Sequence, residues 1–236
     1  MDTIIHRSDT RGKADFGWLK ANYYFSFANY YDPSRIHFGM LRVVNDDYVE
    51  GGMGFSPHPH NDMEIITIPH SGKLAHKDST GGQGVITAGE VQVMSAGTGV
   101  THSEFNGDPK EALTLFQIWI FPRAKGFKPR YDQKKFNEAD RKNNLQLLVS
   151  NDARNGSLMI HQDAFLSMIE LESGKDFTYT NYFPGNGVYM IVVDGEVNLE
   201  NERLKKRDAA GISNTDSFSI HTNSASKILF IEIPMN

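Results

Sequence analysis

The chain has 236 residues, enough for one large domain or two small ones with real cores. A net charge of −5 argues against a general nucleic-acid binder, and the absence of cysteine excludes disulfides and thiolate metal ligands, so any metal must be held by nitrogen and oxygen. The opening MDTIIHRSDTRGK holds no apolar run of signal-peptide length, and no stretch approaches the roughly 20 apolar residues of a membrane span. The expectation is a soluble, cytoplasmic protein without a membrane partner.

Short β-rich runs recur between glycine turns. A turn is expected around residues 17–22. Strands are expected over 36–44 (IHFGMLRVV), 64–68 (EIITI), 89–94 (GEVQVM) and 113–121 (LTLFQIWIF), all rich in β-branched and aromatic residues. Gly51-Gly52, Ser71-Gly72, Gly81-Gly82 and the Gly97 to Gly99 turn separate them. From 123 to 144 the character changes to eight Lys and Arg interrupted by Asp132, Glu138 and Asp140, with Pro122 and Pro129 near its start. This segment reads as a charged, solvated linker with a short helix over 132–141. The β pattern then resumes at 145–149, 158–160, 166–171, 188–193, 196–199, 217–220 and 228–233, with Asp194-Gly195 as a hairpin turn. The division predicted is 1–122, linker 123–144 and 145–236, two related antiparallel β-barrels with little helix.

The chemistry concentrates between Gly52 and Asn106. His58-Pro59-His60 places two imidazoles at i and i+2, on one face of an extended strand. After the Gly97-Thr98-Gly99 turn, His102 and Glu104 form a second such pair. Two pairs on neighbouring strands facing into one barrel would enclose a single cation with four N/O ligands. Strand parity also allows Glu64, four residues after His60, as the acidic ligand. His37, His70 and His76 read as strand-end or loop residues away from the chemistry. His161 and His221 lack partners at ligand spacing and read as structural. Tyr23, Tyr24, Phe25, Phe27 and Phe38 serve either the core or a substrate mouth, and Phe25, Phe27 and Phe38 are the candidates for the mouth.

These residues also carry a family resemblance. Gly52, His58, His60 and Glu64 fit the first cupin motif, and Gly97, Gly99, His102 and Asn106 fit the second. More closely, the chain resembles the pirin family. The matches run from Arg11-Gly12 and Gly17-Trp18-Leu19 through Phe25-Ser26-Phe27 and Tyr31-Asp32-Pro33 to Asn45-Asp46-Asp47. They continue through His58-Pro59-His60, Asp62-Met63-Glu64, His76, Asp78-Ser79, Val91-Gln92 and Met94-Ser95-Ala96-Gly97 to His102-Ser103-Glu104. One departure is Tyr23-Tyr24 where many members have His-Thr, a change that bears on substrate preference if that position shapes the pocket rim.

The resemblance implies an all-β bicupin of two jelly-roll, RmlC-like domains. Its single metal site is in the first, with His58, His60, His102 and Glu104 as ligands, and the second domain is metal-free. Glu64 then becomes a candidate to orient a ligand imidazole. It implies one divalent transition metal, Fe(II) foremost, with Mn, Ni, Co, Cu or Zn as alternatives. It further implies quercetin 2,3-dioxygenase activity, with a flavonol-like substrate and O₂ as partners and Glu104 as the catalytic base. The alternative the resemblance carries is a redox-responsive regulatory protein that binds a protein partner without turnover.

Overall fold

The computed structural model describes all 236 residues as twenty-two strands and three short 3-10 turns, with no α-helix. No helix is long and apolar enough to cross a membrane. The strands form two sandwiches, each a seven-stranded sheet facing a four-stranded one. In the first half the large sheet runs, in spatial order, Arg130–Lys135, Glu90–Ser95, Glu64–Ser71, Leu113–Ile120, Leu41–Val49, Leu19–Tyr23 and Gly12–Asp15. Its small sheet runs Gly54–His60, Val100–Asn106, Lys73–Asp78 and Gln83–Thr87. The second half repeats the plan. Its large sheet holds Asp2–His6, Ala209–Ser213, Gly187–Asp194, Ser226–Ile233, Phe165–Leu171, Gln146–Ser150 and Leu158–Met159. The small sheet of that half holds Asp176–Thr180, Ser217–Thr222, Glu196–Leu199 and Glu202–Lys205. This is the two-cupin architecture.

Burial along the strands explains the layers. In Glu64–Ser71 the first six residues are all buried, and Gly187–Asp194 is buried from end to end except Asp194. A strand reads this way only when both of its faces are covered. One face packs on its own small sheet, the other on the large sheet of the opposite half. Between the halves lies a continuous apolar cluster. Phe25, Phe38, Leu41, Ile66 and Phe116 come from one side, and Leu148, Met168, Tyr189, Leu229 and Ile231 from the other. By contrast Lys73–Asp78 and Val100–Asn106 alternate strictly, burying Leu74, His76 and Asp78 on one strand and Val100, His102, Glu104 and Asn106 on the other. Polar residues thus occupy inward positions that a packing-only barrel would fill with aliphatics.

Three segments depart from the sequence expectation. Residues 123–144 are not a free linker with a helix. Arg130–Lys135 is an edge strand paired with Glu90–Ser95, and only Glu138–Arg141 turns, as a 3-10 turn in which the Ala139 amide donates to the Asn137 side chain. The strand reads as a charged sheet edge: Tyr131 Oη donates to Gln92 and Gln133 on one face, while the flanking charges suit an exposed edge. Asp2–His6 also crosses over, pairing with Ala209–Ser213 in the second half's sheet. Where a turn was expected around 17–22, strand Leu19–Tyr23 runs beside Leu41–Val49.

Candidate metal centre

The first-half barrel opens on a cavity of about 480 Å³ lined by His58, His60, His102 and Glu104. Register places them. Val100–Asn106 pairs with Gly54–His60 so that His102 faces His58, with a bulge between His102 and Glu104. On its other edge, Glu104 faces His76 and His102 faces Asp78. The turn feeding this strand depends on Gly97, at φ +48°, where a Cβ would sit 2.0 Å from the Phe127 carbonyl oxygen.

The three imidazoles converge. Ring centroids are 4.8 Å apart for His58 and His60, 4.4 Å for His58 and His102, and 4.9 Å for His60 and His102. His58 engages the Ser56 carbonyl through Nδ1 at 2.8 Å, which leaves Nε2 for the centre. The Nε2 atoms of His60 and His102 are buried and have no hydrogen-bond partner. Burial, reinforced by the neighbouring imidazoles, pushes both groups down to about 4, so they stand neutral at neutral pH, the form that ligates a metal. Buried nitrogens aimed at one another without protein partners fit a divalent cation, and an N₃ or N₃O set suits Fe, Mn, Co, Ni, Cu or Zn.

Glu104 lines the same cavity and shares His102 with a second cluster. The His102 Nδ1 lies 3.5 Å from His76 Nδ1, and His76, His102 and Glu104 form a second cluster of potential ligand atoms. The carboxylate accepts from Gln92 Nε2 at 2.9 Å on one oxygen and from Gln117 Nε2 at 2.5 Å on the other. Burial alone would raise its pKa, but His76, His102 and Gln92 together hold it below the ordinary carboxylate value. His76 sets its Nε2 3.0 Å from Asp78 Oδ2, and Asp78 in turn accepts from the amides of Thr80 and Gly82. Burial works to lower His76, yet Glu104 and Asp78 outweigh it and raise the group. Tyr131 stacks on the His76 ring at 4.4 Å. His76 therefore sits inside the site, contrary to its reading as a loop residue.

Glu64 does not reach the cluster. Ile65 lines the cavity, so its neighbour faces the opposite side of the sheet, where Ser95 Oγ donates to Glu64 Oε2 at 2.6 Å. Burial pushes that carboxyl up to about 7, partly offset by Ser95, the His161 backbone, Arg130 and Arg123. Of the three phenylalanines, only Phe27 lines the cavity; Phe25 and Phe38 pack around Tyr189 between the halves. His161 stacks on Phe127, and the exposed His221 meets Asp176, both away from the cavity.

Several lining residues escape a reading of the sequence alone. Trp119 packs edge-on against His60 at 4.9 Å, and Trp18 against Phe55 at 5.4 Å. Asn45 and Asp47, at i and i+2 of Leu41–Val49, line the cavity with buried Oδ1 atoms that have no partner. Burial, with help from Asp46 and Glu104, pushes Asp47 up to about 8, leaving it largely protonated at neutral pH. Tyr23 lines the cavity and Tyr24 does not, so the departure from His-Thr falls half on the rim and half in the core.

Comparison with known proteins agrees with this geometry. The Pirin family model matches residues 5–120, and the quercetinase C-terminal cupin domain matches residues 147–233. The chain is 42% identical over 230 residues to a quercetin 2,3-dioxygenase of Escherichia coli K12, covering 98% of each. It is 40% identical over 225 residues to a pirin-like protein of Caulobacter vibrioides, covering 95% of this chain and 96% of that one. The crystal structure of the bacterial pirin YhhW from Escherichia coli in complex with nickel(II) superposes with a TM-score of 0.93 at 40% identity, covering 99% of each chain. By its sequence, its paired cupin sandwiches and its relatives, the chain belongs to the pirin family.

Proposed function

We propose that the protein is a metal-dependent dioxygenase of the quercetin 2,3-dioxygenase type, acting on a flavonol or a similar chelating enol. The observation that carries the reading is the convergence of His58, His60 and His102 in an aromatic-walled cavity, with the Nε2 atoms of His60 and His102 buried and unpartnered. In this reading His58, His60, His102 and Glu104 hold one divalent metal. We favour Fe(II); the complex of the Escherichia coli relative contains nickel(II). When bound, the metal supplies a Lewis-acid centre that stabilises the enolate oxygen and brings O₂ and substrate together.

The remaining work falls to the chain. Glu104 takes the proton of the substrate's enol hydroxyl on Oε2, where Gln117 is the one donor, while Gln92 and Thr67 donate to Oε1. Trp18, Phe27, Phe55 and Trp119 wall a slot suited to a planar aromatic ring. Asn45 and Asp47 offer acceptors without protein partners to ring hydroxyls, and the protonated Asp47 also has a hydrogen to donate.

The test is oxygen uptake and carbon monoxide release with quercetin, comparing Fe(II)-loaded protein, chelator-treated protein and His60→Ala. Turnover in the first alone supports the reading. A metal-loaded wild type with no turnover would refute it and turn attention to the regulatory alternative.

A further inference from the structure

Six of the eleven buried side-chain polar atoms without partners lie at two places in this protein. Four line the metal cavity, on Asn45, Asp47, His60 and His102. Two others, Arg141 Nε and His70 Nε2, line a second cavity of about 460 Å³ in the cleft between the halves. Nothing in the proposed oxygenase chemistry uses this cleft, and none of its lining residues belongs to the metal cavity.

The floor is apolar and drawn from both large sheets: Ile68 and Val91 from one, Leu148, Met168 and Val193 from the other. The rim is charged, and most of its cations are already paired. Lys227 meets Glu170 at 2.8 Å, Lys206 meets Asp194 at 3.0 Å, and Arg207 meets Asp46 at 3.1 Å. Glu90 is occupied by the Thr87 amide and hydroxyl. Arg141 differs. It is only 4% exposed, yet its one hydrogen-bond partner is the Met168 sulfur, 3.1 Å from Nη1 and a weak acceptor. The one carboxylate oxygen within 4.0 Å, Glu138 Oε1, stands 3.7 Å away, beyond hydrogen-bond distance, on a largely exposed side chain. A guanidinium buried without an oxygen acceptor is costly unless something supplies one. Burial, with Arg207 next, pushes His70 down to about 4, so it adds a neutral imidazole and no competing charge.

We propose that this cleft is a ligand site for a small amphipathic carboxylate, its anionic end on the Arg141 guanidinium and its apolar body on the Ile68, Val91, Leu148, Met168 and Val193 floor. A planar carboxylate matches the forked donors of arginine, and the floor rewards an aliphatic or aromatic tail. Because the ligand bridges the two sheets, its binding stabilises the contact between the halves.

The test is NMR of methionine-methyl-labelled, metal-loaded protein titrated with octanoate, with octanol as the uncharged control. The Met168 methyl is assigned through Met168→Leu. The expected result is a saturable shift of the Met168 methyl with octanoate, at least about tenfold weaker binding of octanol, and a similar loss in Arg141→Gln. Retention of the shift in His60→Ala separates this cleft from the metal cavity. Absence of a saturable Met168 shift, equal binding of octanol, or loss of binding in His60→Ala would each overturn the proposal. Should Arg141→Gln fail to fold, the octanoate and octanol titrations of the wild type still decide it.

Discussion

Replacing His76 by phenylalanine isolates what the residues behind the imidazole cluster contribute. Phenylalanine keeps the ring that stacks 4.4 Å from Tyr131 but removes both nitrogens. If His102 ligates through Nε2, its Nδ1 carries the proton and faces His76 Nδ1 3.5 Å away, which accepts it when His76 is neutral with its Nε2 proton on Asp78 at 3.0 Å. Removing the partner that orients a ligating imidazole weakens metal affinity by about 10–100-fold, or about 1.4–2.7 kcal/mol. Asp78 is not left bare, because Thr80 N, Thr80 Oγ1 and Gly82 N still donate to its Oδ1. The metal-free protein should therefore lose at least about 1.5–3 kcal/mol, the worth of one hydrogen bond to a charged group, since the buried Glu104 loses its His76 neighbour too. Competition with a chromophoric chelator for Ni(II) reads the first quantity, and urea unfolding of the metal-free protein reads the second. Affinity within about twofold of wild type would refute the orienting role, whatever the stability.

Three further outcomes follow from the packing. Glu64→Gln should leave metal stoichiometry unchanged, whereas Glu104→Gln should lower metal affinity at least about tenfold; the reverse ranking by chelator competition would return Glu64 to the ligand set. Phe38→Ala should cost about 3–5 kcal/mol in urea unfolding, because Phe38 seals the contact between the halves over Gly187 and Gly211, where added Cβ atoms would lie 3.1 and 2.7 Å from its ring. A loss under about 1 kcal/mol would contradict the interlock. His6, buried against the Tyr189 hydroxyl at 2.7 Å, is pushed from 6.5 to about 4 by burial and then by Arg35. Between those values the unfolded chain binds a proton that the folded one refuses, so stability is full above pH 6.5 and falls as the pH drops to about 4. The shift is worth about 3 kcal/mol, and His6→Asn should flatten the acid limb by that amount; an unchanged limb would exclude His6 as its source.

The convergence of the three imidazoles was legible because His58 and His60 stand at i, i+2 of one strand and His102 at an inward position of its neighbour. Counting from His60 to Glu64 failed because the chain breaks between them: Asp62 takes a left-handed φ of +45°, and parity does not survive such a turn. Phe25 and Phe38 misled for a different reason. Both faces of the first large sheet are apolar, one toward the cavity and one toward the second half, so hydrophobicity alone does not say which way a ring points. Lys73–Asp78 shows its alternation plainly in LAHKD, but His76 has no partner nearby in sequence; its neighbours Glu104 and Tyr131 arrive from distant strands. The 130–135 strand was masked by its charges, which belong to an edge rather than to a linker. Arg141 lay in the same stretch, and nothing in its neighbours foretold burial.

The measurement that bears most directly on the central claim is elemental analysis of purified protein, wild type beside His60→Ala, after loading with Fe(II) or Ni(II) and removal of free metal. The account predicts about one metal per wild-type chain and a loss of most of it in the variant. No metal in the wild type, or equal metal in both, would contradict the assignment of the imidazole cluster as the centre of this protein's chemistry.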